Sequence, residues 1–428
     1  MNGNALLLRA KQALVSFEPR LSHPATGILL TVMIVAGVVL RVQNVGYPFH
    51  FGFDEHQYVN AAHAFLIGSQ DTECCHPPLS KLIVGTGMVL LGNNPEGWRY
   101  TPLVFGLQSI VIAFLLVRSL FNDRNAGFLA AAFMAADGFY LSYSRSGLGD
   151  ILLSCLVQWG VFAAIASRGW AGALTSAVFV GLAASIKWVG VLAGLPACLA
   201  ILLLRRAPWY TIFAFAAVPV VHLLVWMLGL YMIHLPNDPL SIWETMITRK
   251  NFHLGFPHHT NPAESAWYTW PVLYHPLVVK SAVVAGKVRL ASSVAHPVLT
   301  IAADVCLLAL PVLGGVAALN VRFRERWNRW FDTTASKALA ILGASWLATM
   351  LLWMSGRIVT YWYHWLTPWG FGIMLVAGVV SRFERRYPKY VLGFVLSVLV
   401  VAFYLAPVWA ELPISRASAN YRLIRPWR

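Results

Sequence analysis

The sequence predicts an all-α polytopic membrane protein, and three observations carry that prediction. Of 428 residues, 58% are hydrophobic and only 11% charged, too little polar surface for a soluble chain of this length. Apolar runs close to the roughly 20 residues needed to cross about 30 Å of hydrocarbon recur along the whole chain. The excess of Lys and Arg (32) over Asp and Glu (17) is gathered in short clusters between those runs, which is a topology signal and not the basic face of a nucleic-acid binder.

Eleven segments qualify as spans, near 26–45, 100–117, 125–142, 151–167, 170–187, 189–204, 209–231, 297–319, 337–355, 358–380 and 390–410. The first follows a basic leader (Arg9, Lys11, Arg20) without a small-residue cleavage site, so it reads as a retained signal anchor. The stretch HPPLSKLIVGTGMVLLG (76–92) is short after its prolines and carries Lys81, Gly85 and Gly87, so it reads as an amphipathic helix lying on the outer surface. On that reading Arg118, Arg124, Arg168, Arg205, Arg206 and the clusters 322–329 and 382–389 share the side of a cytoplasmic N-terminus; counting 76–92 as a span would send them all outside. The tail with Arg416, Arg422, Arg425 and Arg428 runs against this rule, because it ends outside.

The expected organisation is a single integral membrane domain, 1–428, with extracytoplasmic loops at 46–98 and 232–296 and a four-helix membrane region in 297–428. Cys155, Cys198 and Cys306 lie in apolar runs and Cys74 and Cys75 are adjacent, which is neither a disulfide framework nor a metal pattern.

FHFGFDEHQYVNAAHAFL (49–66) places Asp54 and Glu55 just beyond the first span. Tyr58, Val59, Ala62, Phe65 and Leu66 recur at helical spacing, which predicts a surface helix with its apolar face to the lipid. Asp54 followed by Gln57 resembles a capping box, the bland explanation for an acid at this point. His76-Pro77-Pro78 opens the second surface helix, which projects Ser80 and Lys81, and Arg99 stands at the outer end of the next span. Snorkelling to headgroups would account for Lys81 or Arg99 taken singly. Further along come YSRSGLGD with Arg145 and Asp150, which could simply pair with each other, and AASIKWVG with Lys187 and Trp188. SAWYTWP (265–271), with Trp267 and Tyr268, has the composition of an interfacial aromatic belt, as has GRIVTYWYHWLTP (356–368), with Arg357 and His364. Together these residues bring acids, cations and aromatic rings to one side of the membrane, a set suited to an anionic lipid headgroup.

The ordered set Phe53-Asp54-Glu55, His76-Pro77-Pro78-Leu79-Ser80-Lys81, Arg99, SRSGLGDILL, GLAASIKWVGV, SAWYTWP and YWYHWLTP resembles the dolichyl-phosphate-mannose–protein mannosyltransferases of the GT-C superfamily. The resemblance implies a GT-C fold with eleven spans, two juxtamembrane helices in the first outer loop and transfer of mannose from polyprenyl-phosphate-mannose to Ser or Thr of secreted proteins. Eukaryotic members carry a β-trefoil domain for which loop 232–296 is too short, so a bacterial-type member in the cell membrane is implied.

In such a transfer the phosphate departs as an anion, so one base and several cations suffice, unlike the carboxylate pair of a glycosidase. Asp54 is expected as general base of an inverting attack, with Glu55 orienting the acceptor or tuning Asp54. Arg99, Lys187, Lys81 and Arg145 are the expected phosphate ligands, and His76, Asp150, Trp188, Trp267, Tyr268, Arg357 and His364 the expected substrate contacts. No cofactor is required; Glu55, His56 and His76 are metal-ligand types without ligand spacing, which leaves a divalent ion as an alternative. The expected partners are the polyprenyl-phosphate sugar, an acceptor protein and membrane lipids, and no nucleic acid. The alternatives are a related transferase moving another lipid-linked sugar to a glycolipid and a transporter. A transporter calls for mid-span polar residues and an internal repeat, neither of which is evident.

Overall fold

The computed structural model of the chain describes residues 21–73, 75–166, 168–204, 208–255, 262–354 and 359–423. Among them, nine helices are long and apolar enough to cross a membrane. These are α1 (Pro24–Val42), α4 (Pro95–Phe121), α7 (Gly149–Ala166), α8 (Gly169–Ile186), α10 (Ala217–Met232, with the 3-10 turn Trp209–Ala216 before it), α12 (Pro297–Leu319), α14 (Thr333–Met354), α15 (Leu366–Glu384, preceded by the 3-10 turn Trp362–Trp365) and α16 (Pro388–Trp409). The other two expected segments fall on interrupted helices: α5 (Arg124–Ala136) with α6 (Gly138–Ser144), and the 3-10 turn Trp188–Ala193 with α9 (Gly194–Leu204). The remaining helices are α2 (Glu55–Ile67), α3 (Leu79–Leu91), α11 (Pro239–Leu254), α13 (Val321–Asn328) and α17 (Arg416–Arg422).

The break between α5 and α6 frees backbone groups inside the bundle, where hydrocarbon cannot satisfy them. Side chains do so instead. Arg41, in the last turn of α1, donates to the carbonyls of Met134 (3.0 Å) and Ala135 (2.8 Å). Asp137 accepts from the amides of Tyr140 and His296 and from the Trp369 indole, each at 2.9 Å. The break is thereby a junction of α1, α5, α6, α12 and α15.

Long-range contacts sort the loops between the two ends of the bundle. At one end Arg382 pairs with Asp123 (2.9 Å), Ser22 bonds Glu384, and Trp330 stacks on Tyr387, which collects the basic clusters 118–124, 322–329 and 382–389. At the other end lie loop 46–98, the segment 262–296 and residues 359–365. The tail belongs there too: Val288 and Ile414 exchange backbone hydrogen bonds of 2.8 and 3.0 Å.

The all-α reading holds for the bundle, with one small hairpin added in the outer loop, β1 (Val278–Val284) and β2 (Lys287–Ser292), turning at Ala285-Gly286, both with positive φ as a tight hairpin turn requires. It is anchored to the first outer loop through the Phe53 amide on the Val279 carbonyl, 2.7 Å. The apolar face of α2 turns into the protein and not to lipid: Tyr58, Val59, Ala62 and Phe65 are buried, while His56, Asn60 and His63 are exposed. Helix α3 and Trp226 of α10 offer protein surface in its place, with Val84 and Met88 packed on Val59 and Ala62 and with Trp226 in one cluster with Phe65.

The sorting of the ends predicts a labelling result. Lys287→Cys and Glu325→Cys, both at exposed positions and each in a background with the native cysteines replaced, should react with a membrane-impermeant thiol reagent from opposite faces of sealed vesicles. Labelling of both from the same face would contradict the fold.

Candidate functional site

The adjacent acids have opposite fates. Asp54 precedes α2 in a left-handed conformation (φ 56°, ψ −4°), which Asp tolerates better than most residues. Its side chain caps no backbone amide; among the described residues its one side-chain hydrogen bond is a long 3.4 Å contact from Gln57. The capping-box expectation therefore fails, and the half-buried carboxylate stays available. Burial pushes its pKa above the usual range, opposed by the charges of Lys187 and His56.

Glu55 is fully buried and saturated. One oxygen accepts from Arg99 Nε (2.9 Å) and the Gly147 amide (2.7 Å), the other from an Arg99 terminal nitrogen (2.8 Å) and the Gly52 amide (2.7 Å). Burial alone would raise its pKa; the charge of Lys280 and the hydrogen bonds and charge of Arg99 outweigh it and hold the carboxyl at about 2. Arg99, the first phosphate ligand expected, spends its remaining donors on the carbonyls of Pro48 (2.8 Å), His50 (2.9 Å) and Val45 (3.4 Å). No donor is left for a phosphate.

Lys81 and Arg145 are committed in the same way. The Lys81 ammonium, fully buried, meets Asp71 (2.7 Å), Glu73 (2.8 Å) and the carbonyls of Glu73 and His76. Arg249 of α11 joins the cluster through Asp71 (2.8 Å), and His76 does so through Glu73 (2.9 Å) while stacking on Tyr58. Arg145 closes the end of α1 through the carbonyls of Leu40, Arg41, Gln43 and Asn44. Its carboxylate neighbour is Glu411 at 3.6 Å, not Asp150. Lys280 lies in the same group, 3.4 Å from Glu411 and donating to the Arg145 carbonyl.

Lys187 alone of the four expected phosphate ligands faces a cavity. It follows the last turn of α8, bonds one Asp150 oxygen at 2.7 Å and stands 4.7 Å from the Tyr363 ring centroid. Asp150, Lys187, Thr349, Trp353, Tyr363, His364 and Thr367 line that cleft. The His364 ring stacks on Trp353 at 3.7 Å, and its Nδ1 accepts from the Tyr361 amide at 3.1 Å, so the neutral ring carries its proton on Nε2. Asp54 is not in that lining, but it feels the charges of both Lys187 and Asp150, and Phe53 packs near Tyr363.

Trp188 backs Lys187, stacked on Trp226 and donating to the Cys75 carbonyl at 3.4 Å. The segment with half-buried Trp267 and exposed Tyr268 is tied to the cleft wall by Ser265 and Thr360, whose amide-to-carbonyl and hydroxyl-to-carbonyl bonds measure 3.0 and 2.6 Å. Arg357 lies outside the described residues. The structure thus brings Asp150, Lys187 and His364 to one cleft, sets Asp54 within reach of their charges, and assigns Glu55, Arg99, Lys81 and Arg145 to internal ion pairs. Among the described residues no group of three His, Cys, Asp or Glu side chains is placed to hold a metal ion, and the Glu55 oxygens are already taken.

Sequence reasoning missed Asp71, Glu73, Arg249, Lys280, Glu411 and Tyr363. For Lys280 a signal was present, since VVKSAVVAGKVRLAS alternates β-branched residues around Ala-Gly.

Residues 75–231 match the family model described as dolichyl-phosphate-mannose-protein mannosyltransferase. The chain is 29% identical to a polyprenol-phosphate-mannose–protein mannosyltransferase of Corynebacterium glutamicum over 27% of each protein, and 27% identical to one of Mycolicibacterium smegmatis over 39% of each. These two matches thus span well under half the length of the relatives. A Mycobacterium tuberculosis protein of the same name matches at 24% identity over 94% of this chain and 92% of that one. Among solved structures, the Saccharomyces cerevisiae protein O-mannosyltransferase Pmt1-Pmt2 complex bound to the sugar donor shares the fold, with a TM-score of 0.76 at 10% identity over 97% of this chain and 94% of that one. ArnT from Cupriavidus metallidurans bound to undecaprenyl phosphate gives 0.54 at 14% identity over 90% of this chain and 74% of its own.

The buried pair makes a stability prediction. Glu55→Gln or Arg99→Met leaves a buried charge uncompensated and should cost about 3–5 kcal/mol, read as a lowered unfolding temperature in detergent, whereas Asp54→Asn should leave that temperature within a degree or two. Because Glu55 is held at about 2 when folded against 4.5 ordinarily, its stabilisation is complete above pH 4.5 and is lost as pH falls towards 2. Equal destabilisation by Asp54→Asn and Glu55→Gln would contradict this division of labour.

Proposed function

We propose that the chain is a dolichyl-phosphate-mannose–protein mannosyltransferase of the GT-C superfamily and that it transfers mannose from polyprenyl-phosphate-mannose to Ser or Thr hydroxyls of secreted proteins, with inversion, on the extracytoplasmic face; the match of residues 75–231 to that family's model and the likeness along the chain to a polyprenol-phosphate-mannose–protein mannosyltransferase support this reading. The observation that carries this reading is the contrast between Asp54, uncapped and under the charge of Lys187, and Glu55, saturated by Arg99 and two amides. The location of the basic clusters at the far end of the bundle supports the orientation, with those clusters cytoplasmic.

Asp54 takes the acceptor hydroxyl proton as the oxygen attacks the anomeric carbon; its raised pKa makes it a stronger base than an ordinary Asp. The bond to phosphate breaks on the opposite side, and the phosphate leaves as an anion. Lys187 binds it, held in place by Asp150 and Tyr363. His364, with Nε2–H as donor, hydrogen-bonds sugar or phosphate. Glu55 and Arg99 act through Asp54 by fixing the backbone on which it stands, and so are positioning residues.

Membranes containing the protein, given labelled polyprenyl-phosphate-mannose, should yield labelled protein; label found only in lipid would replace this reading with a glycolipid acceptor. Asp54→Asn should lower transfer by about 10²–10⁴-fold and Lys187→Met by about 10²–10³-fold at unchanged protein level. Transfer should fall as pH drops through the Asp54 pKa, giving an acid limb above that of an ordinary Asp, and retention of full activity by Asp54→Asn would remove the base assignment.

A further inference from the structure

A second feature lies at the end of the bundle away from this cleft. A groove of about 600 Å³ opens between α12, α14 and α15, walled by Leu310, Leu339, Gly343, Leu347 and Leu375, with Trp327 of α13 at its lip. It is open space on the glycine side: a Cβ built at Gly314 or Gly343 meets no atom within 4 Å. From Ser336 to Leu347 it follows α14 for about 16 Å at 1.5 Å per residue. Ser336, the hydroxyl residue in its lining, is already engaged, accepting from the Trp327 indole at 2.9 Å and donating to the Phe331 carbonyl. The lining thus suits a hydrocarbon chain and offers nothing to a polar ligand.

The lip supplies the other half. Arg322, Arg326 and Arg329 follow one another at i, i+4 and i+7, which places them on one side of α13, and all three are exposed. Arg324 points elsewhere, closing the end of α12 through the carbonyls of Ala317 and Ala318. Leu319, 91% exposed, and Val321, 65% exposed, immediately precede the arginines, so hydrocarbon ends where the basic stripe begins. That is headgroup depth, and three cations aligned there, with Glu325 the one acid on α13 and Asp332 engaged in capping α14, complement an anionic headgroup.

We infer that the groove and the α13 stripe form a binding site for one anionic phospholipid, its acyl chain along α14 and its phosphate on Arg322, Arg326 and Arg329. The site is separate from the mannosyl-transfer reading and stands whether or not that reading holds.

The test is thermal unfolding of the full chain in detergent with added phosphatidylglycerol or phosphatidylcholine, read as the difference between the two lipids within each variant, so that a loss of baseline stability does not mask the result. Wild type should unfold several degrees higher with phosphatidylglycerol, since a ligand of the native state raises the transition temperature. The triple variant Arg322→Gln, Arg326→Gln, Arg329→Gln should lose that difference, and so should Gly343→Leu and Ala340→Leu, which fill the groove. Equal effects of the two lipids on wild type would overturn the proposal, as would a preference that survives either set of changes. Survival in the groove variants alone would reduce the stripe to surface charge. Stabilisation by undecaprenyl phosphate but not by phosphatidylglycerol, lost in Gly343→Leu, would assign the groove to a polyprenyl tail and also overturn it.

Discussion

The bidentate pair between Glu55 and Arg99 is the constraint on which the site end depends. Two buried charges are costly to desolvate, and they are tolerated here because every lone pair of the carboxylate and every donor of the guanidinium has a partner. Those partners are not local: they come from the 45–52 segment, the first turn of α4 and the turn at Gly147. One ion pair therefore ties three stretches of chain to a single point, and Asp54 is the next residue along. Its left-handed backbone is sustained from outside, with the amide of Phe53 held on the hairpin carbonyl of Val279 and the amide of Glu55 on Gly52.

Around this point the buried charges divide by what they have left to offer. Lys81 and Arg249 share Asp71 and Glu73 with His76; Arg145 and Lys280 share Glu411 with the end of α1. The second group holds more cation than anion, and burial lowers the Lys280 pKa to about 8 despite Glu411 and Glu55. The Lys280 charge adds to the hydrogen bonds and charge of Arg99 in keeping Glu55 ionised. Lys187 differs in having one carboxylate partner and an aromatic ring, with its remaining donors directed at a cleft, so a phosphate there would complete its coordination and break no existing pair.

Much of this was legible in the residues. Among the described residues nine of the eleven apolar segments fall on helices long enough to cross a membrane and two on interrupted ones, because span length and hydropathy are set by the solvent, not by tertiary contacts. Asp150, Lys187 and His364 were singled out from the chain and line one cleft, with Asp54 under the charges of the first two. What could not be read was the partner of each charge. Arg145 was weighed against Asp150, five residues away, yet its carboxylate neighbour is Glu411, and Lys187 takes Asp150 instead. Sequence proximity carries little weight when helix ends from remote segments converge on one plane. The inward face of α2 was misread for a related reason: an apolar stripe reports that something covers it, and whether lipid or α3 does so is a tertiary fact.

The net charge of +15 is distributed unequally between the two ends, and the inequality has a physical sense. At the site end Arg99, Lys81, Lys187 and Lys280 each have an acid in reach, so the cleft presents a small number of directed charges in a low-dielectric surround, where a donor can be discriminated by geometry. At the opposite end Arg322, Arg326 and Arg329 are exposed with one acid on their helix, and Arg385 and Arg386 are exposed, Arg386 over the Trp330 ring. Cations left to solvent bind by field strength and are screened by salt, which suits a membrane surface and not a reacting centre. The same residue types thus do different work at the two ends because burial, not composition, decides whether a charge selects a geometry or merely a sign.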